Sequence, residues 1–230
     1  MSDAPRGRPP LPLAEIYSEA LALMADGGMQ TLGMRALARR LGSSTSTLYR
    51  QFPGGKDELC NRLAEHVMAE VVAAIAAADL TAGAWDTVIE RSAVITFDVL
   101  RDHPHSAALF AGQVLFGPAG LLRYERALDL LMGTGLSAAA AAAADHALGR
   151  LIIGYALQSA MDTPDSRATV VEYYRGLDQT EFPHVTAVVP AVPKDLRTEF
   201  VFALQTFMDG LRSLVAEGSR DVRAGGRTHP

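Results

Sequence analysis

The chain has 230 residues, 49% of them hydrophobic and 20% charged, which suffices for a packed core in one large domain, or in a small domain joined to a larger one, and excludes a disordered chain. A net charge of −5 excludes a surface coated in basic residues, and the single cysteine, Cys60, excludes an internal disulfide and reads as a small side chain on a helix. The first residues lack the apolar core of a secretory signal, and the longest uncharged stretch, His103 to Leu122, is broken by proline and glycine, so the expectation is a soluble cytoplasmic protein with no membrane span.

Leu13, Ile16, Tyr17, Ala20, Leu21, Leu23 and Met24 recur at three- and four-residue spacing, so residues 13 to 25 read as a helix stopped by Gly27 and Gly28. Thr31 offers an N-cap for a second helix carrying Leu37, Ala38 and Leu41 on one face before Gly42. Ser43 to Ser46 supply capping oxygens for a third, with Leu48 and Phe52 inward, and Pro53-Gly54-Gly55 ends it. From Lys56 to about Ala78 an apolar stripe of Leu59, Leu63, Val67, Val71 and Ile75 marks a long fourth helix. At ~1.5 Å per residue it reaches ~34 Å, enough to connect two domains.

Further helices are expected at 84 to 101, 105 to 116, 120 to 132, 138 to 161, 165 to 176 and 195 to 217. No stretch alternates as a strand does; Val185 to Val192 is apolar but short and holds Pro190. The fold class is therefore all-α, with a head over residues 1–56 and a larger helical domain over 57–230. The alanine run from Ala138 to Ala144, capped by Ser137, continues into a long helix, and it and the terminal segment FVFALQTFMDGLRSLV carry more apolar face than one copy needs. Those faces read as the interface of a homodimer.

Charge is uneven along the chain. Through Lys56 there are seven Lys and Arg against four Asp and Glu; the rest carries 14 against 22. No acid falls between Asp26 and Asp57, while Arg35, Arg39, Arg40, Arg50 and Lys56 do. A polyanion-binding face follows from that asymmetry. The spacing of Ala38, Gly42, Leu37, Leu41 and Leu48 suits a helix-turn-helix, in which a small residue sits at the crossing and a left-handed residue at the turn. Phosphates accept hydrogen bonds from hydroxyl groups such as those of Ser44 and its neighbours, and repel carboxylates.

The segment TLGMRALARRLGSSTSTLYRQFPGGKDEL resembles the DNA-binding part of the TetR (tetracycline-repressor) family of bacterial transcription regulators, most specifically in LYRQF and KDEL. RDHP, YERALDLLMGTGLS and FALQTFMDGLRSL resemble the tetracycline-repressor type of C-terminal domain more weakly. Ser43 departs from the pattern, standing where the family usually has an apolar residue, as does the extra residue in PGGK. The resemblance implies that Thr45, Ser46, Thr47 and Arg50 face base edges, that Tyr49 and Gln51 meet phosphates, that Thr31 and Arg35 touch the backbone from the second helix, and that Lys56 does so from the fourth. An Arg50 fork matches guanine O6 and N7. At least one of Arg39 and Arg40 reads as a solvated face. The tail RGRPP reads either as an arginine arm in a minor groove or as an uninvolved tail, and the sequence leaves both open.

The resemblance further implies a regulator of double-stranded operator DNA, mostly repressors in this family, released when a small effector binds among the C-terminal helices. Polar groups set in apolar helices, Gln113, His146, Arg150 and Gln158, with Trp85, Phe97, Phe110 and Tyr155 as wall, are the candidate effector contacts, and an apolar wall favours a lipophilic molecule. No cofactor is expected. The alternatives are a helical binding or adaptor protein without DNA affinity, and an enzyme. Enzyme signals are poor: Gly133-Thr134-Gly135 lacks the strand a dinucleotide fingerprint needs, and His103 and His105 lack metal-pair spacing.

Overall fold

The computed structural model describes residues 10–80, 83–111, 117–192 and 195–225, and among them every regular element is helical. The order is α1 (Leu13–Gly27), α2 (Met34–Arg40), α3 (Thr45–Gln51), α4 (Gly55–Ala77), α5 (Trp85–Asp102), a 3₁₀ turn (Ser106–Leu109), α6 (Pro118–Gly133), α7 (Ala138–Ser159), α8 (Pro164–Arg175), α9 (Pro183–Val188), a second 3₁₀ turn (Val189–Ala191) and α10 (Leu196–Gly225). The all-helical expectation holds.

Ile16, Ala20 and Met24 of α1, Leu37 of α2, Leu48 of α3 and Phe52 are fully buried, so three short helices share one small core. The corner between α2 and α3 is closed from both sides. Gly42 takes φ +57 and donates its N–H to the Arg39 carbonyl, while the Ser43 N–H reaches back to Ala38 at 2.9 Å, which satisfies two of the orphan carbonyls of α2. Ser44 then caps α3, its hydroxyl accepting the Thr47 N–H at 3.2 Å. Thr31 does not cap α2 as expected. Its hydroxyl closes the end of α1 instead, donating to the carbonyls of Leu23 and Gly28, and α2 starts only at Met34.

α4 carries buried side chains along most of its length, from Leu59 to Val71, and packs on α1, α5 and α6. The division expected at residue 56 thus falls at the start of a helix that belongs to the cores of both halves. Cys60 lies in that buried stripe, where burial pushes its thiol up from the ordinary range, Asp57 adding and Lys56 opposing. Glu65 fastens α4 to α6: its Oε1 accepts the Ala119 N–H at 2.6 Å, and a side chain at Gly117 would overlap its carboxylate.

In the larger part α5 packs on α7 and α10, and α6 on α7. Phe97, Phe200, Leu204 and Met208 form the fully buried centre. Arg212 reaches from α10 to Asp86 and Glu90 of α5, and Arg197 to Asp98. The helix expected over 105 to 116 is only the short 3₁₀ turn as far as it is described, because His105 takes a left-handed φ of +66 directly after Pro104; residues 112–116 lie outside the described part. The alanine run does form a helix, with Ser137 as its cap.

Ser43 is the one point where the corner is chemically mismatched. Its hydroxyl is buried and has no hydrogen-bond partner among the described residues. An unpaired buried hydroxyl costs ~1–3 kcal/mol. Ser43→Ala should therefore stabilise the protein, by about 1 kcal/mol, read as a higher urea midpoint with an unchanged slope.

Candidate nucleic-acid interface and effector region

The outer side of the head is built by α2 and α3. Arg35, Arg39, Arg40, Ser44, Ser46, Tyr49 and Arg50 are exposed; Thr31, Thr45, Gln51 and Lys56 are half-buried. Thr47 is not available at this surface. It is buried at 7% exposure, and its hydroxyl lies 3.0 Å from that of Ser44 and 3.4 Å from an Arg50 nitrogen. The reason is helical phase: Thr47 stands beside Leu48 on the inward side, while Ser46, Tyr49 and Arg50 turn outward.

Three of the cations have internal duties. Arg40 pairs with Glu19 and with Asp26, which raises its already high pKa. Arg35 and Arg39 have no ion-pair partner among the described residues. Lys56 donates to the Met29 carbonyl at 2.9 Å, linking the start of α4 to the turn after α1, and Arg50 leans on Thr47. Of the two carboxylates in the first turn of α4, Glu58 accepts from the Gly54 N–H at 2.8 Å and from Arg62 at 2.6 Å. The face so formed is cationic and hydroxyl-rich. Tyr49 stands against Gly55, whose φ of +66 and missing side chain leave room for the ring.

Gln51 is placed unexpectedly. Both ends of its amide bond the backbone of Leu11, Oε1 accepting the Leu11 N–H at 3.1 Å and Nε2 donating to the Leu11 carbonyl at 2.8 Å. No periodicity could announce this contact between residues 40 apart in sequence.

The candidate effector residues separate into groups. Phe97 and Phe110 are buried, and Phe97 stacks on Phe200 at 4.3 Å between centroids, with Tyr155 edge-on to Phe200 at 5.6 Å. Phe200 was missed in sequence, although its four-residue spacing to Leu204 and Met208 marks it as inward. Trp85 lies twelve residues, ~18 Å, up α5 from Phe97. It borders an open cleft of about 490 Å³ with Asp129, Leu130, Thr134 and Val215. His146, Arg150 and Gln158 are exposed on α7, where His146 stacks on Tyr124 at 5.7 Å. The buried polar group of α7 is Asp145, in a two-pronged pair with Arg123 at 2.9 Å. Gln113 lies outside the described residues. A wider open groove of about 870 Å³ follows α8, between Arg167, Tyr173 and Val192.

A short three-helix head with a capped, cationic outer helix, set on an all-helical body, defines a helix-turn-helix DNA-binding regulator. Residues 16–63 match the family model of bacterial regulatory proteins, tetR family, and residues 77–215 match that of the tetracyclin repressor-like C-terminal domain. The chain belongs to the TetR family, whose members are DNA-binding transcription factors and not enzymes.

Among relatives, the HTH-type transcriptional repressor DrrR1 of Streptomyces coeruleorubidus is 28% identical over 229 residues, covering 91% of this chain and 80% of that one. The transcriptional regulator SCO7222 from Streptomyces coelicolor aligns at TM-score 0.70 and 25% identity, over 89% of this chain and 99% of that one. Apo ActR from Streptomyces coelicolor aligns at TM-score 0.76 and 24% identity, over 92% and 99%, a likeness of fold. No helix among the described residues is long and apolar enough to cross a membrane.

The cap at Ser44 sets the start of the outer helix. Ser44→Ala should cost about 1 kcal/mol and Ser44→Gly only a few tenths, a ranking that chemical denaturation would read directly.

Proposed function

We propose that this regulator is a homodimeric repressor that occupies an approximately palindromic operator and leaves it when a small lipophilic molecule enters the C-terminal helices. The observation that carries the DNA half is the corner at Gly42 and Ser44, which holds a carboxylate-free outer helix clear of the body. On that helix Arg50, Ser46 and Thr45 are the base-reading candidates and Tyr49 a phosphate contact; Arg35 and Arg39 of α2 add phosphate contacts. Lys56 acts more by securing the α1–α2 turn than as a free cation; Thr31 and Thr47 support the helices from inside, and Ser44 does so as the exposed cap of α3.

The dimer is supported by apolar residues left exposed on two long helices: Leu157 on α7, and Phe202 and Leu214 on α10, with Met161 just beyond α7; Phe202 is 72% exposed and Met161 76%. Large apolar side chains left in solvent on two long helices are what a subunit interface would cover. His146, Arg150 and Gln158 share the exposed side of α7, so in a dimer they would lie near the partner. Two-fold symmetry sets the recognition helices into successive major grooves, ~34 Å apart.

For the effector, support comes from the apolar ring cluster of Phe97, Tyr155 and Phe200, from the relative described as a repressor, and from ActR, of the same fold, which has been solved in complex with actinorhodin. Release requires only that the effector prefer the arrangement whose head spacing misfits DNA. α4, shared by both cores and tied to α6 through Glu65, is the element such a preference would move. The working compartment is the cytoplasm, where the operator is.

Phe202→Asp should turn a particle of two 24.5 kDa chains into one, read by light scattering, and weaken operator binding by ~30-fold or more. A wild-type monomer at micromolar concentration would refute the dimer. In the head, Arg50→Ala should relax base preference at one position of each half-site, by ~1–3 kcal/mol. Thr47→Val should leave the preferred sequence unchanged, and a shifted sequence would return Thr47 to the interface.

A further inference from the structure

Two imidazoles and one carboxylate meet where the head joins the body, and they carry an inference that rests on the DNA-binding reading. Glu70 stands on α4. One of its oxygens lies 2.6 Å from Nε2 of His103, the residue just after α5, and the other lies 3.2 Å from Nε2 of His66, one turn back on α4. The His66 ring lies against that of Tyr17 on α1, with centroids 4.9 Å apart. His66, Glu70 and His103 are all half-buried. Contacts thus run from the end of α5 through Glu70 and His66 to Tyr17, crossing from body to head.

The chain around His103 makes this cluster a joint. After Pro104 the backbone takes a left-handed φ of +66 at His105 and enters the 3₁₀ turn, which packs on both α1 and α4. Ala107 and Leu109 of that turn are buried, so the turn is where the body rests on the head. His103 fastens the approach to it.

Other charged groups on the elements packed here are engaged elsewhere. Glu19 of α1 pairs with Arg40, Asp98 and Asp102 of α5 with Arg101, and Arg123 of α6 with Asp145, while Glu65 of α4 receives the Ala119 N–H. The 3₁₀ turn carries no ionisable side chain, and His105 has no ion-pair partner among the described residues. Among those residues no lysine or arginine pairs with Glu70, so only imidazole can balance its charge. Imidazole is the side chain that gains charge between about pH 8 and pH 5. A neutral ring can still donate one N–H to the carboxylate, but only the imidazolium adds charge attraction. As pH rises through the imidazole range, the joint loses its ion pairs and keeps at most hydrogen bonds.

We infer that Glu70 is a positioning residue whose pairing with His103 and His66 sets how firmly the head is held on the body, so that acidification tightens operator binding. A head held at one attitude meets its half-site ready for contact, whereas a loosened one must be ordered on binding, at a cost in entropy.

The test uses the full chain, a chelator in every buffer, and the duplex that the wild-type protein enriches from a random pool at about pH 6. Between about pH 6 and pH 8 wild-type affinity should fall about tenfold further than that of Glu70→Gln, which keeps an acceptor and loses the charge. His103→Gln should lose most of that extra fall, and adding it to Glu70→Gln should change nothing more. His103→Lys, charged throughout the range, should restore at the upper pH most of what the wild type loses there. The amino-terminal α-amino group also titrates in this range. With Arg6 and Arg8 it lies outside the described residues, and it is the same in every variant, so it cancels from the comparison. By linkage, duplex binding should also take up protons, about 0.5 or more per chain near neutral pH, read by calorimetry in buffers of different ionisation enthalpy.

Affinity that is level with pH or rises with it, a fall as large in Glu70→Gln as in wild type, or binding that takes up no protons would overturn the inference. The last needs only the wild-type chain and decides the matter if the variants do not fold. Failure of the wild-type chain to enrich any duplex would overturn the DNA-binding reading itself, a distinct outcome from tight binding that ignores pH.

Discussion

The corner between Leu41 and Thr45 is the constraint on which the head depends. An α-helix ends with orphan carbonyls and begins with orphan N–H groups, and a helix-turn-helix must satisfy both within a few residues while changing direction. Here Gly42 and Ser43 return their N–H groups to α2, and Ser44 offers its oxygen to α3. The positive φ at Gly42 is the conformation that a side chain would oppose. Because both ends are satisfied locally, α3 can be seven residues long and still hold a fixed attitude. Leu37, Leu48 and Phe52 anchor it from beneath. Fixed attitude matters for function, since a base edge is read only by side chains held at hydrogen-bond distance.

The same head is coupled to the body through one helix. α4 shares the buried cluster with α1 at its start and with α5 and α6 beyond, so it cannot tilt without disturbing packing at one end or the other. Glu65 adds a directional tie, its Oε1 receiving the Ala119 N–H in the first turn of α6, where the helix dipole favours an anion. A molecule that repositions α5 or α6 would in this way be felt at α3 by rigid displacement. The coupling available to such a device, typically ~1–3 kcal/mol, is enough to change operator occupancy by about ten- to a hundredfold.

Apolar spacing made most of this architecture legible, because buried leucines and phenylalanines repeat at the helical period and prolines and glycines punctuate them. α1, the long α4, α5, α6, α7 and α8 all fall within a few residues of their expected spans. Polar positions were less legible, for physical reasons that differ case by case. Thr31 looked like a cap, yet a hydroxyl can equally satisfy the carbonyls of the preceding helix, and it does. The family resemblance implies that Thr47 faces outward, but its phase beside Leu48 turns it in. α7 hid its orientation altogether: alanine fits a core or a surface equally well, so His146, Arg150 and Gln158 could not be phased against it, and the structure turns all three outward. Contacts between distant segments, such as Gln51 with Leu11 and Arg123 with Asp145, leave no periodic trace.

The most direct measurement is to expose the purified chain to a random-sequence duplex pool at near-physiological salt and sequence what it retains. Two copies of one short motif in inverted orientation, with centres about one or two helical turns apart, is the result expected of paired heads presented by a fixed corner. A pool that emerges unenriched, or enriched in a lone half-site with no inverted mate, would contradict it.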